Sequence, residues 1–203
     1  MLRTALTCLA FALSLGLASC ANEPQISHTP EKAEDAGTAP VSANDPENTL
    51  VIETKDGKVL IGLRPDLAPN HVARIKQLAR EGFYNGVVFH RVIPGFMAQT
   101  GDPTGTGAGG SKYPDLQAEF NPAPFERGTL GAARSQSPDS ANSQFFITFT
   151  RTPHLNGQYT VFGKVTEGMQ YIDAVKKGSE SNNGQVDNPD KMLKVYVLAD
   201  AKS

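Results

Sequence analysis

From residue 49 onward, apolar residues come in short runs separated by Gly, Pro, Asn and Asp. The runs at 49–54 and 58–63 flank Lys55-Asp56-Gly57, and Asp-Gly between two apolar runs predicts a β-hairpin. Over 70–81, Val72, Ile75, Leu78 and Ala79 recur at helical spacing, Gly82 ends the run and Asn70 stands where an N-cap belongs, which predicts one amphipathic helix. The segments 87–93, 96–99, 129–132, 144–149, 160–165 and 193–199 then read as short strands between Gly/Pro-rich turns, with a second helical stretch at 168–177. Many short strands and two helices point to a mainly β domain, closed as a barrel or packed as a sandwich, since closure removes edges open to further pairing.

Upstream the pattern changes. Arg3 precedes an apolar and small-residue run over 5–17, then Ala18-Ser19-Cys20, which has the layout of a secretory signal peptide. The run is shorter than the ~20 residues that span a bilayer. Leu17-Ala18-Ser19-Cys20 resembles the lipobox of bacterial lipoproteins, which implies cleavage before Cys20 and lipidation of its thiol. Residues 21–48 hold six acidic residues against one Lys and almost nothing apolar, a composition that cannot bury enough surface to order itself. As a flexible tether their reach is roughly 30 Å, from about 5–6 Å times the square root of the residue number. The expected organisation is thus a signal peptide over 1–19, a lipidated Cys and acidic tether over 20–48, and a folded domain over 49–203. The expected location is extracytoplasmic and lipid-anchored. If the cell has two membranes, Ala21 supplies no retention acid, which places the protein on the outer membrane facing the periplasm; a soluble periplasmic protein is the alternative.

Composition narrows the chemistry. The 19 Gly and 14 Pro among 203 residues argue against long helices. A formal net charge of −2 without a basic block lacks the electrostatic footprint of a nucleic-acid binder. The two cysteines, Cys8 and Cys20, are both near the start, so neither a disulfide framework nor a Cys-based zinc site is available to the domain. Gly105-x-Gly107-x-x-Gly110 matches the dinucleotide fingerprint formally, and Gly105-x4-Gly110-Ser111-Lys112 nearly spells a P-loop. Both need a helix to follow, and Tyr113-Pro114 interrupts it. There is no Gly-x-Ser-x-Gly elbow, and His28, His71, His90 and His154 show no paired metal-ligand spacing. No cofactor or metal is expected.

What remains is the run from Phe89 to Gln99. Period-two alternation puts His90 and Val92 on one face and Phe89, Arg91 and Ile93 on the other. An Arg beside apolar neighbours either snorkels to water over them or is held at the rim of an apolar pocket, where its charge is poorly screened.

Phe89-His90-Arg91-Val92-Ile93-Pro94-Gly95-Phe96-Met97-x-Gln99 is followed by Gly101-Asp102-Pro103-Thr104-Gly105-Thr106-Gly107, Glu119-Phe120, Gly128-Thr129-Leu130-Gly131, Asn142-Ser143-Gln144-Phe145-Phe146-Ile147 and Val161-Phe162-Gly163-Lys164-Val165. In this order the motifs resemble a cyclophilin-type peptidyl-prolyl cis-trans isomerase of the bacterial type, over about residues 49–200. The resemblance implies a closed eight-stranded antiparallel β-barrel capped by two α-helices, acting on X–Pro bonds of folding polypeptides. It maps the catalytic donor onto Arg91, with Phe96 and Gln99 beside it. Phe96, Met97, Phe146 and Leu155 would line a proline pocket with Ala133 at its edge, and Gln99 would steady the Arg or the substrate carbonyl. His90 would be a wall or substrate contact. Arg134 and Tyr159 would also contact substrate; they stand where other branches have Asn and His. His154 would form a rim where many members carry Trp or Phe, which makes the rim less apolar and puts affinity for cyclosporin-like macrocycles in doubt. The expected partners are proline-containing polypeptides, with the membrane reached through the N-terminal lipid, and the expected state is a monomer. The alternative from a different class is a binding module or holdase that grips proline segments with incidental catalysis.

Overall fold

A computed structural model of the chain describes residues 45–201. The stretch read as a signal peptide, Cys20 and most of the expected tether lie outside the described residues.

The hairpin forms, β1 (Thr49–Glu53) pairing with β2 (Lys58–Leu63) in antiparallel register, Thr49 opposite Gly62 and Glu53 opposite Lys58. However, Thr54 N–H donates to the Gly57 carbonyl (2.9 Å), so the turn centres on Lys55-Asp56, one residue before Asp56-Gly57. Helix α1 (Pro69–Arg80) follows and buries His71, Val72, Ile75, Leu78 and Ala79, the stripe set by its apolar spacing. After it come β3 (Arg91–Ile93), β4 (Met97–Thr100), β5 (Thr129–Ala132), β6 (Phe145–Thr148), β7 (Val161–Glu167), the short helix α2 (Met169–Ala174) and β8 (Lys194–Val197). All eight strands belong to one antiparallel sheet in the order β3-β4-β6-β5-β7-β2-β1-β8.

The expected closed barrel is corrected here to a curled half-barrel. The terminal strands β3 and β8 form no ladder with each other. Residues around 176–193 come between them and reach the β3 region through single bridges, Val88 with Lys191 and Arg91 with Gln185, and through bonds such as Phe89 N–H to the Asp190 carbonyl (2.9 Å). A three-residue edge strand flanked by Pro94-Gly95 offers too few donors and acceptors for a continuous ladder, so a loop satisfies it instead.

Two further expectations change. Asn70 lies inside α1, one residue past Pro69; the cap comes from Glu119, whose carboxylate accepts the amides of Asn70 and His71 at 3.0 Å each. An anion there satisfies orphan donors and complements the helix dipole. The same carboxylate meets His71 Nδ1 at 2.6 Å. Among the described residues, local structure also begins before residue 49. Pro46–Asn48 forms a 3-10 turn capped by Asp45, and Glu47 pairs with Lys76 (2.5 Å) and Arg80 (2.8 Å) on α1.

Alternation across the sheet sorts its side chains into two clusters. Val92, Ala98, Leu130, Phe145 and Ile147 join the larger one, with residues of β1, β2 and α1. Met97 and Phe146, their immediate neighbours in sequence, join a smaller one with Phe125, Leu155 and Val161, against which Ile93, Phe96, Ala133 and Tyr159 pack. Phe89 belongs to the larger core with Val92 and not to the face of Arg91, because β3 begins only at Arg91 and period-two alternation does not extend back to Phe89.

Because one carboxylate caps α1 from 49 residues away, Glu119→Ala should lower stability by about 1–2 kcal/mol, the range for losing a helix cap. Urea denaturation measures this, and a midpoint within error of wild type would show that water caps the helix equally well.

Candidate active site

Register brings the candidate side chains together. Arg91 on β3 lies opposite Gln99 on β4, and Gln99 lies opposite Phe146 on β6. The chain of polar contacts runs on from there. Arg91 Nη1 donates to Gln99 Oε1 (3.2 Å), Gln99 Nε2 to Gln144 Oε1 (2.9 Å), and Gln144 Nε2 to the carbonyls of Gly107 (3.0 Å) and Gly109 (2.8 Å). On its other edge Arg91 donates from Nε to the Asn183 carbonyl and from Nη2 to Asn183 Oδ1, both at 2.9 Å. Burial pushes the guanidinium pKa down, with Tyr159 opposing the shift, and an Arg remains charged in such a setting.

Beside this cation is a cavity of about 190 Å³ lined by Arg91, Phe96, Met97, Gln99, Ala133, Arg134, Phe146, Leu155 and Tyr159. Nine of the eleven catalytic and substrate-contact candidates named from the sequence therefore converge. The aromatic walls are mutually braced: Phe146 stacks on Phe125 (5.6 Å, 20°) and meets Tyr159 edge-on (5.6 Å, 87°). Opposite Phe146 in the sheet is Gly131, where a Cβ would run into the rings of Phe146 and Phe125, so glycine is needed for the pocket floor to exist. Arg134 lies over the Tyr159 ring at 4.6 Å and donates to the carbonyls of Ser135 (2.9 Å) and Gln158 (3.0 Å). A second, more polar cavity of about 500 Å³ adjoins the first, sharing Gln99, Ala133 and Arg134 and continuing along residues 107–111 to Asn142 and Gln144.

The two remaining candidates are elsewhere. His154 is exposed on the turn Pro153–Leu155, its ring 5.6 Å from Phe96, so it borders the cavity without lining it. His90 is buried and lines neither cavity; Gly107 covers its ring closely. His90 therefore lies beneath the Gly-rich loop, outside the lining of the cavity where the other candidates meet. Cys20 lies outside the described residues. The Gly-rich stretch is a folded loop organised by Asp102, which accepts the amides of Thr104 (2.7 Å) and Gly107 (2.6 Å). Burial works to raise the Asp102 pKa, but bonds from Thr104 and the loop amides overcome it and bring the carboxyl down to about 2.

Sequence reasoning gave no role to Asn183, Gln144 or Gly131. Gln144 and Gly131 stood within the quoted motifs, but their roles arise from cross-strand register. Asn183 comes from a loop 92 residues after Arg91, and no local pattern marks it.

A cyclophilin-type peptidyl-prolyl cis-trans isomerase family model matches residues 49–197. A probable peptidyl-prolyl cis-trans isomerase of Brucella suis is 62% identical over 172 residues, covering 79% of this chain and 88% of the relative. Peptidyl-prolyl cis-trans isomerase B of Bacillus subtilis is 48% identical over 126 residues, 61% of this chain and 87% of its own. Among solved structures, a Cryptosporidium parvum cyclophilin-type isomerase in the presence of the dipeptide Ala-Pro aligns with TM-score 0.68 at 30% identity, covering 73% of this chain and 98% of that one. A cyclophilin from Hirschia baltica aligns with TM-score 0.70 at 26% identity, covering 78% and 76%.

His90 and Asp102 give separable pH signatures. Neither His90 ring nitrogen has a partner among the described residues, and burial holds its pKa below 6.5, with Asp102 opposing and Arg91 adding to the shift. A folded pKa below the unfolded one means that the unfolded state binds more protons, so stability from this site is present above pH 6.5 and falls as pH drops through the folded value. The Asp102 contribution is present above pH 3.8 and is lost as pH falls toward about 2. Thermal melts from pH 8 to about 2 should show two declines, and His90→Gln should remove the upper one alone; persistence of that decline would assign it to another group.

Proposed function

The chain belongs to the cyclophilin-type peptidyl-prolyl cis-trans isomerases and is an enzyme of that activity, and from that premise we propose that Arg91 is its catalytic donor, with the proline ring held by Phe96, Met97, Phe146 and Leu155. Amide resonance gives the X–Pro bond a rotation barrier of ~18–20 kcal/mol and uncatalysed lifetimes of tens to hundreds of seconds. At the top of that barrier resonance is lost and the proline nitrogen regains a lone pair. A donor aimed at that nitrogen binds the twisted state better than either planar one, which is all that catalysis requires. No bond is made or broken, so neither a nucleophile nor a general base has a part.

The observation that carries this reading is the placement of the Arg91 guanidinium, fixed by acceptors on both sides, beside the 190 Å³ cavity whose apolar wall is made by Phe96, Met97, Phe146 and Leu155. Gln99 holds one edge of the guanidinium and is itself held by Gln144. The larger polar cavity extends from Ala133 and Arg134, which suits it to the residues that precede proline in an extended substrate. Arg134 and Tyr159 then shape the passage between the two, and His154 meets substrate at the outer rim. An Ala-Pro unit, present with the Cryptosporidium relative, is the smallest substrate of this kind.

We further propose that the enzyme works outside the cytoplasm on proteins that are folding there, held to a membrane through lipidated Cys20 and the acidic tether. This rests on the signal-like run over 5–17 and on Leu17-Ala18-Ser19-Cys20. If there are two membranes, Ala21 favours the outer one.

Arg91→Ala should lower kcat/KM on a chromogenic X–Pro peptide by about 100-fold or more, since losing a donor aimed at the transition state typically costs ~2.7–4 kcal/mol. Near-normal turnover would mean that the apolar pocket alone supplies the rate. Cys20→Ser should move the protein from the membrane to the soluble extracytoplasmic fraction with activity per molecule unchanged; retention on membranes after a salt wash would exclude the lipid anchor.

A further inference from the structure

We propose that Asn183 is a positioning residue for the isomerase reaction, setting the aim of the Arg91 guanidinium through its side-chain amide. The inference rests on Arg91 being the catalytic donor and assigns what holds that donor in place.

A guanidinium has five N–H donors in a rigid fork. Three are committed: Nε to the Asn183 carbonyl, one on Nη2 to Asn183 Oδ1, and one on Nη1 to Gln99 Oε1. That leaves one N–H on each terminal nitrogen for a substrate. Gln99 alone would leave the fork free to swing about its single contact. With Asn183 gripping Nε and Nη2 together, the plane of the fork is defined, and with it the direction of the two free donors.

Asn183 achieves this grip from a left-handed backbone conformation, φ +51°, which Asn tolerates better than most residues. Its backbone is placed independently of its side chain. The neighbouring Gly184 accepts from Val92 N–H (2.7 Å) and donates to the Ser179 carbonyl (2.8 Å), Gly178 N–H donates to the Val92 carbonyl (2.9 Å), and Gln185 bridges to Arg91. Gly184 has φ +77° and approaches β3 so closely that a Cβ would strike the Ile93 side chain. The loop is thus pinned to the strand that carries Arg91 at positions on both sides of Asn183.

The choice of an amide has a further consequence. Gln99 and Asn183 offer neutral oxygens, which fix the guanidinium without cancelling its charge. A carboxylate in the same place would form an ion pair and weaken the field acting on the proline nitrogen.

Asn183→Gly separates aiming from folding. Glycine accepts the left-handed conformation without strain and keeps the carbonyl that receives Nε–H, so only the Oδ1 bond is lost. Steady-state kinetics on an X–Pro peptide would be measured for the full chain as wild type, Asn183→Gly, Arg91→Ala and the double variant, with a thermal melt of each to normalise to folded protein. Asn183→Gly should lower kcat about tenfold, the size of one hydrogen bond to a charged group, with KM nearly unchanged. In the Arg91→Ala background the same substitution should change kcat by less than about twofold, because the group it positions is gone. Near-wild-type kcat in Asn183→Gly beside a large loss in Arg91→Ala overturns the positioning role and leaves the Arg91 assignment standing. A loss of equal size in both backgrounds assigns Asn183 a structural role and also overturns it. Near-normal turnover in Arg91→Ala overturns the two together.

Discussion

A guanidinium cannot give up its proton, and it cannot be left half-buried without acceptors. That constraint at Arg91 organises the site. Its fork is met by Gln99 on one edge and Asn183 on the other, Gln99 is held by Gln144, and Gln144 is anchored on the carbonyls of the Gly-rich loop. Asp102 in turn folds that loop by collecting its amides. A network that reaches from an edge strand to two separate loops thus converges on one cation beside the cavity walled by Phe96, Met97, Phe146 and Leu155, and each member of it is held by another. This is the preorganisation that makes an electrostatic contact stronger in the transition state than in water.

The half-barrel serves the same end. A sheet of eight strands curls without sealing, and the residues between α2 and β8 bridge the β3 region through single contacts. Had β3 and β8 paired directly, the β3 edge now occupied by the Asn183 loop would have been taken up by a ladder. The two-sided burial of β4 and β6 does the rest: Ala98, Phe145 and Ile147 go to the main core, while Met97 and Phe146 build the pocket wall from the alternate positions.

Much of this was legible in the residue order, and for identifiable reasons. The pairing of the first two strands and the α1 stripe depend on local rules of chain reversal and helical period, so they appeared where expected, with the turn itself one residue early. The pocket residues were named through family resemblance, and nine of them line one cavity. Most of the misreadings involve long-range partners, and one a strand boundary. Asn70 has the right chemistry for a cap, but a Glu from 49 positions later occupies that role. His90 is adjacent to Arg91 in sequence, yet the chain turns it under Gly107 and away from the cavities. Phe89 was assigned the Arg91 face by extending strand alternation past the start of β3. Closure of the barrel could not be decided by counting strands, since it depends on whether the first and last in the sheet order meet.

The central claim is that the fixed guanidinium of Arg91 lowers the barrier to rotation and contributes little to holding proline. The most direct measurement is the on-enzyme cis–trans exchange rate of an Ala-Pro peptide, by NMR under saturating enzyme, in wild type and Arg91→Lys, together with the peptide's dissociation constant. A lysine keeps the charge as a point but loses the fork. The account predicts that exchange on the enzyme slows by at least about tenfold, as expected for a lost transition-state interaction, while the dissociation constant stays within a few-fold. Unchanged exchange accompanied by a large loss of affinity would contradict it, because Arg91 would then bind the substrate and its rotation would be driven by the apolar pocket.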